Sequence, residues 1–231
     1  NYVWRVNIGG LISQEPFTSY GAPQIASYVV GAGETMLATT GGQLVSVAGR
    51  NFGPSWGALQ SISYGQTGTE FVVRNWTWLD HTSLTFRTIP GVGAANSFAI
   101  MVADQMSQLS NVSIDYAKPT VVSVSPSSAS TFQPISRTTQ ITVTGRDFGL
   151  ASSLVNVILA IGNSDYTTLM RVAPTLRVPS TADIARPSYV PVPGQTETLV
   201  FTLPSGIGAR RAVRVVPYLG VTPPDDSTIL S

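Results

Sequence analysis

The chain has 231 residues, a formal net charge of +1 and charged side chains at only 11% of its positions, against about 25% in an average globular protein. Nucleic-acid binding usually needs a basic surface, so this composition argues against DNA or RNA as a partner. Because cysteine is absent, disulfides and zinc–thiolate sites are excluded. No run of about 18 apolar residues predicts a membrane-spanning segment.

The first 22 residues predict a β-hairpin. Residues 8–23 resemble residues 102–119 further along the chain. We therefore expect residues 1–22 to be the last two strands of a preceding domain. A hairpin alone cannot bury its apolar face, so this one should belong to an upstream domain or complete a domain in a neighbouring chain.

Short runs of alternating apolar and polar residues predict strands along the rest of the chain. They are rich in β-branched and aromatic residues and are bounded by Gly, Pro, Asn or Asp. The 21 glycines and 16 prolines leave no room for a long helix. This pattern favours a β-sandwich or a barrel. The clearest runs are residues 44–47, 98–102, 140–144, 198–201 and 212–216.

An internal repeat organises these strands. Residues 49–53 and 145–149 both read Gly-Arg-(Asn or Asp)-Phe-Gly, and they lie 96 positions apart. A Tyr-x-x-Pro segment recurs with the same offset, beginning at Tyr20 and again at Tyr116. Two unrelated signatures that share one offset indicate a duplicated domain.

The second copy also holds an insertion. The segment around Pro90 has its counterpart at Pro204, an offset of 114 rather than 96. The added residues include the proline-rich stretch 187–193. Proline cannot complete a hydrogen-bonded ladder, so we expect this stretch to cap an edge strand or to contact a neighbour.

The repeated five-residue signature has a physical interpretation. In the first copy, a strand ends at the glycine or arginine, Asn51 takes a left-handed or Asx-turn conformation, and the last glycine supplies a positive φ. The phenylalanine then packs under the sandwich as a plug. The residues assigned to this structural signature are Gly49, Phe52, Gly53, Gly145, Phe148 and Gly149.

The second copy resembles the IPT/TIG family of immunoglobulin-like domains. Residues 119–126 read Pro-Thr-Val-Val-Ser-Val-Ser-Pro and residues 141–149 read Ile-Thr-Val-Thr-Gly-Arg-Asp-Phe-Gly, similar to the entry strand and the Gly-x-x-Phe-Gly segment of that family. The first copy departs at its entry, where residues 28–30 replace the usual Ser-Val-x-Pro. The resemblance implies an all-β chain of tandem immunoglobulin-like β-sandwiches of the IPT/TIG, E-set type, with domains at 23–118 and 119–231.

The resemblance implies a fold more than a function, because the family has no common catalytic residues. We expect a non-enzymatic structural glycoprotein of a cell surface, an appendage or an extracellular filament. One alternative is an adhesion or receptor ectodomain that binds a protein or a glycan, and another is an accessory module of a polysaccharide-active enzyme. The expected partners are other copies of the chain or other surface proteins and glycans, and no cofactor is expected.

Titratable residues indicate no catalytic or metal site. The one histidine, His81, lies in a polar segment with Asp80 and Ser83, an order that does not match a serine-hydrolase triad, so we interpret it as a turn residue. Asp225 and Asp226 are too isolated for more than weak calcium binding. The glycines of residues 91–93 precede a strand and not a helix, so they do not predict a phosphate-binding loop.

Two other residue pairs are candidates for surface roles. Asn75 and Asn111 each begin an Asn-x-(Ser or Thr) sequon for N-glycosylation. Trp76 and Trp78 share one face of a predicted strand and form the most plausible exposed platform for a glycan or a protein partner. Buried cross-strand packing is the commoner role for such tryptophans.

Overall fold

A computed structural model describes residues 2–14, 17–127, 140–149, 155–162, 169–178, 195–202 and 212–219. In this part of the chain there are 21 strands, one 3-10 turn at Trp56–Ala58 and no α-helix. The all-β prediction is confirmed, and each run that the sequence analysis singled out lies within a strand. The insertion residues 187–193 and the segment around Pro204 lie outside the described residues.

The first described residues form a nested hairpin, which we call the N-terminal ribbon (residues 2–20). Its inner pair of strands and its outer pair are both antiparallel. Gly9 and Gly10 make the turn with φ of 58° and 83°, a conformation that favours glycine. The strands are β1 (Tyr2–Val3), β2 (Asn7–Ile8), β3 (Leu11–Ile12) and β4 (Phe17–Thr18).

The next ten strands form the first sandwich, residues 24–116. One sheet has the order β10-β11-β7-β5 and the facing sheet has the order β13-β12-β8-β9, while β6 and β14 make a short parallel pair. Alternate side chains of both sheets point into a shared apolar core. The strands are β5 (Gln24–Val30), β6 (Met36–Leu37), β7 (Leu44–Arg50), β8 (Leu59–Gly65), β9 (Phe71–Val72), β10 (Trp76–Asp80), β11 (Ser83–Arg87), β12 (Ser97–Val102), β13 (Gln105–Met106) and β14 (Asp115–Tyr116).

Tyr64 lies at the centre of the first core. Its ring stacks on Phe71 with centroids 5.0 Å apart and contacts Phe98 at 5.5 Å. Its hydroxyl lies 2.9 Å from the hydroxyl of Tyr116, which donates to the carbonyl oxygen of Ile89 at 2.8 Å. Burial raises the pKa of Tyr64 to about 12. The tyrosine that closes the repeat is therefore part of a buried, hydrogen-bonded aromatic cluster.

The second sandwich, residues 120–219, contains seven strands in the described part of the chain. One sheet has the order β15-β16-β20-β19 and the other has the order β18-β17-β21. Its core is a separate apolar cluster that includes Val143, Leu159, Leu199 and Phe201, all fully buried. The strands are β15 (Thr120–Ser125), β16 (Gln140–Arg146), β17 (Val155–Gly162), β18 (Leu169–Val172), β19 (Pro174–Val178), β20 (Thr196–Thr202) and β21 (Ala212–Leu219).

The repeated signature has the same geometry in both sandwiches. Phe52 and Phe148 are fully buried, and the residues before them, Asn51 and Asp147, have φ of 64° and 59°. The final glycines of the two signatures also have positive φ. A Cβ on Gly49 would overlap the carbonyl oxygen of Gln24 and the ring of Phe52, and a Cβ on Gly145 would overlap the equivalent groups of Thr120 and Phe148. Each first glycine therefore lets its strand, the neighbouring strand and the phenylalanine ring pack closely.

Candidate functional site

The two sandwiches meet at a joint built from both ends of the repeat. The buried hydroxyl of Thr39 donates to Oδ1 of Asp147 at 3.2 Å. Leu219, at the end of β21, packs against the core of the first sandwich. The connection between the sandwiches is also tied down, since the N–H of Ala117 donates to the carbonyl oxygen of Leu37 at 2.8 Å. Polar and apolar contacts thus both cross the junction.

A buried ion pair lies next to this joint. Oε2 of Glu197 pairs with Nη2 of Arg177, and the two side chains are only 8% and 10% exposed. Oε1 of Glu197 accepts the backbone N–H of Phe148 at 3.1 Å. Burial raises the pKa of Glu197, an effect that the Arg177 guanidinium opposes and the charge of Asp147 reinforces. The carboxylate therefore links β19, β20 and the turn that carries the second signature.

The sequence analysis did not single out Glu197 or Asp147 as partners. The alternation along β20 does indicate that Glu197 is buried, because this residue is in phase with the buried Leu199 and Phe201. An acidic residue on the inner face of a strand needs a partner. The contact of Asp147 with Thr39 depends on how the two sandwiches meet, so local sequence carries no signal for it.

The tryptophans expected to form an exposed platform are partly buried. Trp76 and Trp78 lie opposite the buried Phe86 and Leu84 on β11 and pack against the first core, partly buried. The indole Nε1 of Trp78 is buried and finds no hydrogen-bond partner among the described residues. The two tryptophans lie on the inner face because they are in register with these buried residues of β11, although β10 is the edge strand of its sheet.

His81 lies in the turn between β10 and β11 and is exposed. Its carbonyl oxygen accepts the N–H of Phe52 at 3.0 Å. Oδ1 of Asp80 accepts both the N–H and the hydroxyl of Thr82 at 2.6 Å, and these hydrogen bonds lower the pKa of Asp80. The Asp80 carboxylate thus stabilises the turn, and the backbone carbonyl groups of the turn contact the first signature.

The other predicted residues take several positions. Asn75 is exposed immediately before β10, and Asn111 is exposed in a bend between β13 and β14. Gly91 lies under the rings of Phe71 and Tyr116, where a Cβ would come within 2.7 Å of either ring. Asp225 and Asp226 lie outside the described residues. Among the described residues, no group of three potential metal ligands occurs and no helix is long and apolar enough to cross a membrane.

In each sandwich, one four-stranded sheet carries an uncharged row of residues across all its strands on its outward face. In the first sandwich the paired residues in this row are Thr77, Thr85, Ser46 and Val29, in order across the sheet. The second sandwich has a row of the same composition: Ser123, Thr144, Thr198 and Val178. Both valines are about half exposed, at 53% and 51%. We call these two rows the uncharged outer faces; the exposed Arg50 and Arg87 of the first sheet and Arg146 of the second lie outside the rows.

Comparison with known proteins leaves the family assignment a prediction. No family model matches the sequence, and no curated protein matches it. Among solved structures, the chain is similar to SGBP-B from a complex xyloglucan utilization locus in Bacteroides uniformis, with 15% identity, a TM-score of 0.33 and coverage of 84% of this chain and 46% of that one. It is also similar to the full extracellular region of plexin A4, with 17% identity, a TM-score of 0.34 and coverage of 86% and 15%. At these values the similarities carry no argument about ligands or partners.

Proposed function

We propose that this chain is a non-enzymatic structural module of a cell surface or an extracellular filament, and that its copies associate through the uncharged outer faces. The observation that carries the proposal is the matching row of Ser, Thr and Val on both sandwiches. Short, uncharged side chains allow two sheet faces to come together without burying an unpaired charge. A surface with so little charge also offers little electrostatic resistance to self-association.

The joint supports the same proposal. A structural element transmits load when successive units keep one orientation. The Thr39–Asp147 hydrogen bond and the packing of Leu219 on the first core limit the freedom of a connection that runs only from Tyr116 to Thr120. Because the connection is so short, each sandwich contributes one uncharged outer face to the same stretch of chain.

Charge placed on the outer faces tests the proposal. Thr77 and Ser123 are exposed members of the two rows, so a double variant, Thr77→Arg with Ser123→Arg, should fold normally and lose self-association. The matched control is Gln66→Arg with Gln108→Arg, which adds the same charge at exposed positions outside both rows. Sedimentation velocity over a concentration series and negative-stain electron microscopy measure the assembly.

We expect the wild-type chain and the control to form concentration-dependent oligomers or filaments and the row variant to stay monomeric. Dispersed wild-type monomers at all concentrations would contradict the proposal. Equal assembly of the row variant and the control would contradict the part assigned to the outer faces. Trp76 and Trp78, the residues that the partner-binding alternative would use, are partly buried and pack against the first core.

A further inference from the structure

The N-terminal ribbon reproduces a part of the first sandwich pair by pair. In the ribbon, Ile8 pairs with Leu11 across a two-residue turn, and in the first sandwich Val102 pairs with Gln105 across another. Both residues of each turn have positive φ. The outer pair also matches, since Tyr2 opposite Thr18 corresponds to the bridge between residues 96 and 114.

Two hydrogen bonds, one to a serine side chain and one between backbone groups, make the correspondence specific. The N–H of Val6 donates to Oγ of Ser13 at 3.1 Å, and the N–H of Ser13 donates back to the carbonyl oxygen of Val6 at 2.9 Å. In the first sandwich, Ile100 and Ser107 make the same two bonds at 3.0 and 2.8 Å. The ribbon therefore has the local structure of β12, β13 and β14, the strands that close a sandwich.

The environments of the two segments are opposite. Trp4, Val6 and Ile8 are 63%, 56% and 73% exposed, whereas their counterparts Phe98, Ile100 and Val102 are at most 6% exposed. Tyr20 is 74% exposed and its counterpart Tyr116 is 2% exposed. In the first sandwich these side chains are covered by β8 and by the facing sheet. The ribbon therefore has the backbone of a closing hairpin, but the side chains that correspond to core residues are exposed.

We propose that the ribbon is the closing hairpin of a further sandwich of the same kind, whose other strands precede it in the polypeptide. Continuity along the chain supports this position over a neighbouring molecule. Tyr20 precedes the first residue of β5 by the same number of positions as Tyr116 precedes the first residue of β15. In sequence, the ribbon therefore precedes the first sandwich as β12–β14 precede the second.

The first sandwich also indicates the chemistry of the missing strand. Along β12, Phe98 lies opposite Tyr64, Ile100 opposite Ile62 and Val102 opposite Leu59. The strand that pairs with the ribbon should therefore place an aromatic residue opposite Trp4 and aliphatic residues opposite Val6 and Ile8. The segment around Trp4 to Ile8 carries only Arg5 as a charged side chain, which fits an apolar partner.

A fusion to the full chain tests the inference. Residues 23–94 of this sequence, which contain β5–β11, are joined directly before Asn1, so that the ribbon takes the place of β12–β14 in a hybrid sandwich. A matched control fusion inserts residues 95–118 between the added segment and Asn1, so that the added strands have their own closing hairpin. Hydrogen exchange of the ribbon amides, followed by mass spectrometry, is measured in the unfused chain and in both fusions.

We expect the ribbon amides to exchange at least about 100-fold more slowly in the hybrid than in the unfused chain or the control fusion, because residues 2–8 then pair with a β8-type strand. Val6→Asp with Ile8→Asp should abolish this protection, whereas Asn7→Asp on the opposite face should retain it. Unprotected ribbon amides in the hybrid, with an ordered control fusion, would overturn the inference. Hydrogen exchange of the ribbon amides does not depend on self-association of the outer faces. The inference about the ribbon and the proposed function can therefore fail independently of each other.

Discussion

The hydroxyl of Thr39 donates a hydrogen bond to Oδ1 of Asp147 although the two residues are 108 positions apart. Thr39 belongs to the first sandwich and is buried, while Asp147 has a left-handed backbone in the signature of the second. The same position in the first signature is Asn51, whose Nδ2 donates to the carbonyl oxygen of Ala22 at 3.0 Å. In each sandwich, this position of the signature therefore makes a hydrogen bond to an earlier segment of the chain, Ala22 in the first and Thr39 in the second.

Removing the hydroxyl should loosen the joint. Thr39→Val keeps the shape of the side chain and loses the bond to Asp147, so we expect the free energy of unfolding to fall by about 1–2 kcal/mol. Thr39→Ser retains a hydroxyl and should lose less. Chemical denaturation followed by tryptophan fluorescence measures both. Valine and wild type with equal stability would show that the hydrogen bond does not hold the joint.

The first glycine of each signature should not tolerate a side chain. In Gly49→Ala and Gly145→Ala the new Cβ overlaps a carbonyl oxygen of the adjacent strand and the buried phenylalanine ring, so we expect a loss of about 1–3 kcal/mol in each. Gly57→Ala is the matched control, because no atom lies within 4 Å of its Cβ position. Thermal unfolding compares the three variants. A stability of Gly49→Ala as high as that of the control would contradict the close packing.

Each signature phenylalanine should stabilise its own core. Phe52 and Phe148 belong to separate apolar clusters, and truncation of a buried phenylalanine to alanine costs about 3–5 kcal/mol. In calorimetry, Phe52→Ala should lower the unfolding temperature of the first sandwich and leave that of the second nearly unchanged. Phe148→Ala should do the reverse. Were both variants to lower every transition equally, the two cores would be a single cooperative unit.

Much of this local structure could be predicted from the sequence. The glycine, arginine, asparagine or aspartate and phenylalanine of the signature each have a conformational or packing preference that acts over a few residues, and the strand alternation is equally local. Alternation placed Trp76 and Trp78 on one face but could not say which face was inner. That depends on the pairing of β10 with Phe86 and Leu84 of β11, residues that are themselves buried.

The buried charge gives the stability a pH dependence. Burial raises the pKa of Glu197 above its ordinary value of 4.5, so the folded chain holds this proton more tightly than the unfolded chain. This contribution to stability is complete below pH 4.5 and is lost as the pH rises through the raised pKa. Denaturation curves between pH 4 and about pH 8 should show this loss.

Glu197→Gln should remove that part of the pH dependence, since glutamine does not titrate. It should also lower the stability at neutral pH, because it leaves the Arg177 guanidinium without its carboxylate, a change that costs about 3–5 kcal/mol for a buried pair. Replacing both residues by methionine should recover most of the loss. A Glu197→Gln variant with the wild-type pH profile would show that another group titrates.

The radius of gyration in solution tests the central claim, that the chain folds as two successive sandwiches with separate cores. A single compact globule of 231 residues has a radius of gyration of about 17 Å, whereas two units of about 100 residues joined end to end give roughly 22 Å or more. The row variant, Thr77→Arg with Ser123→Arg, should stay monomeric, so small-angle X-ray scattering from it measures this quantity without interference from assembly. We predict a value of roughly 22 Å or above; a value near about 17 Å would contradict the account.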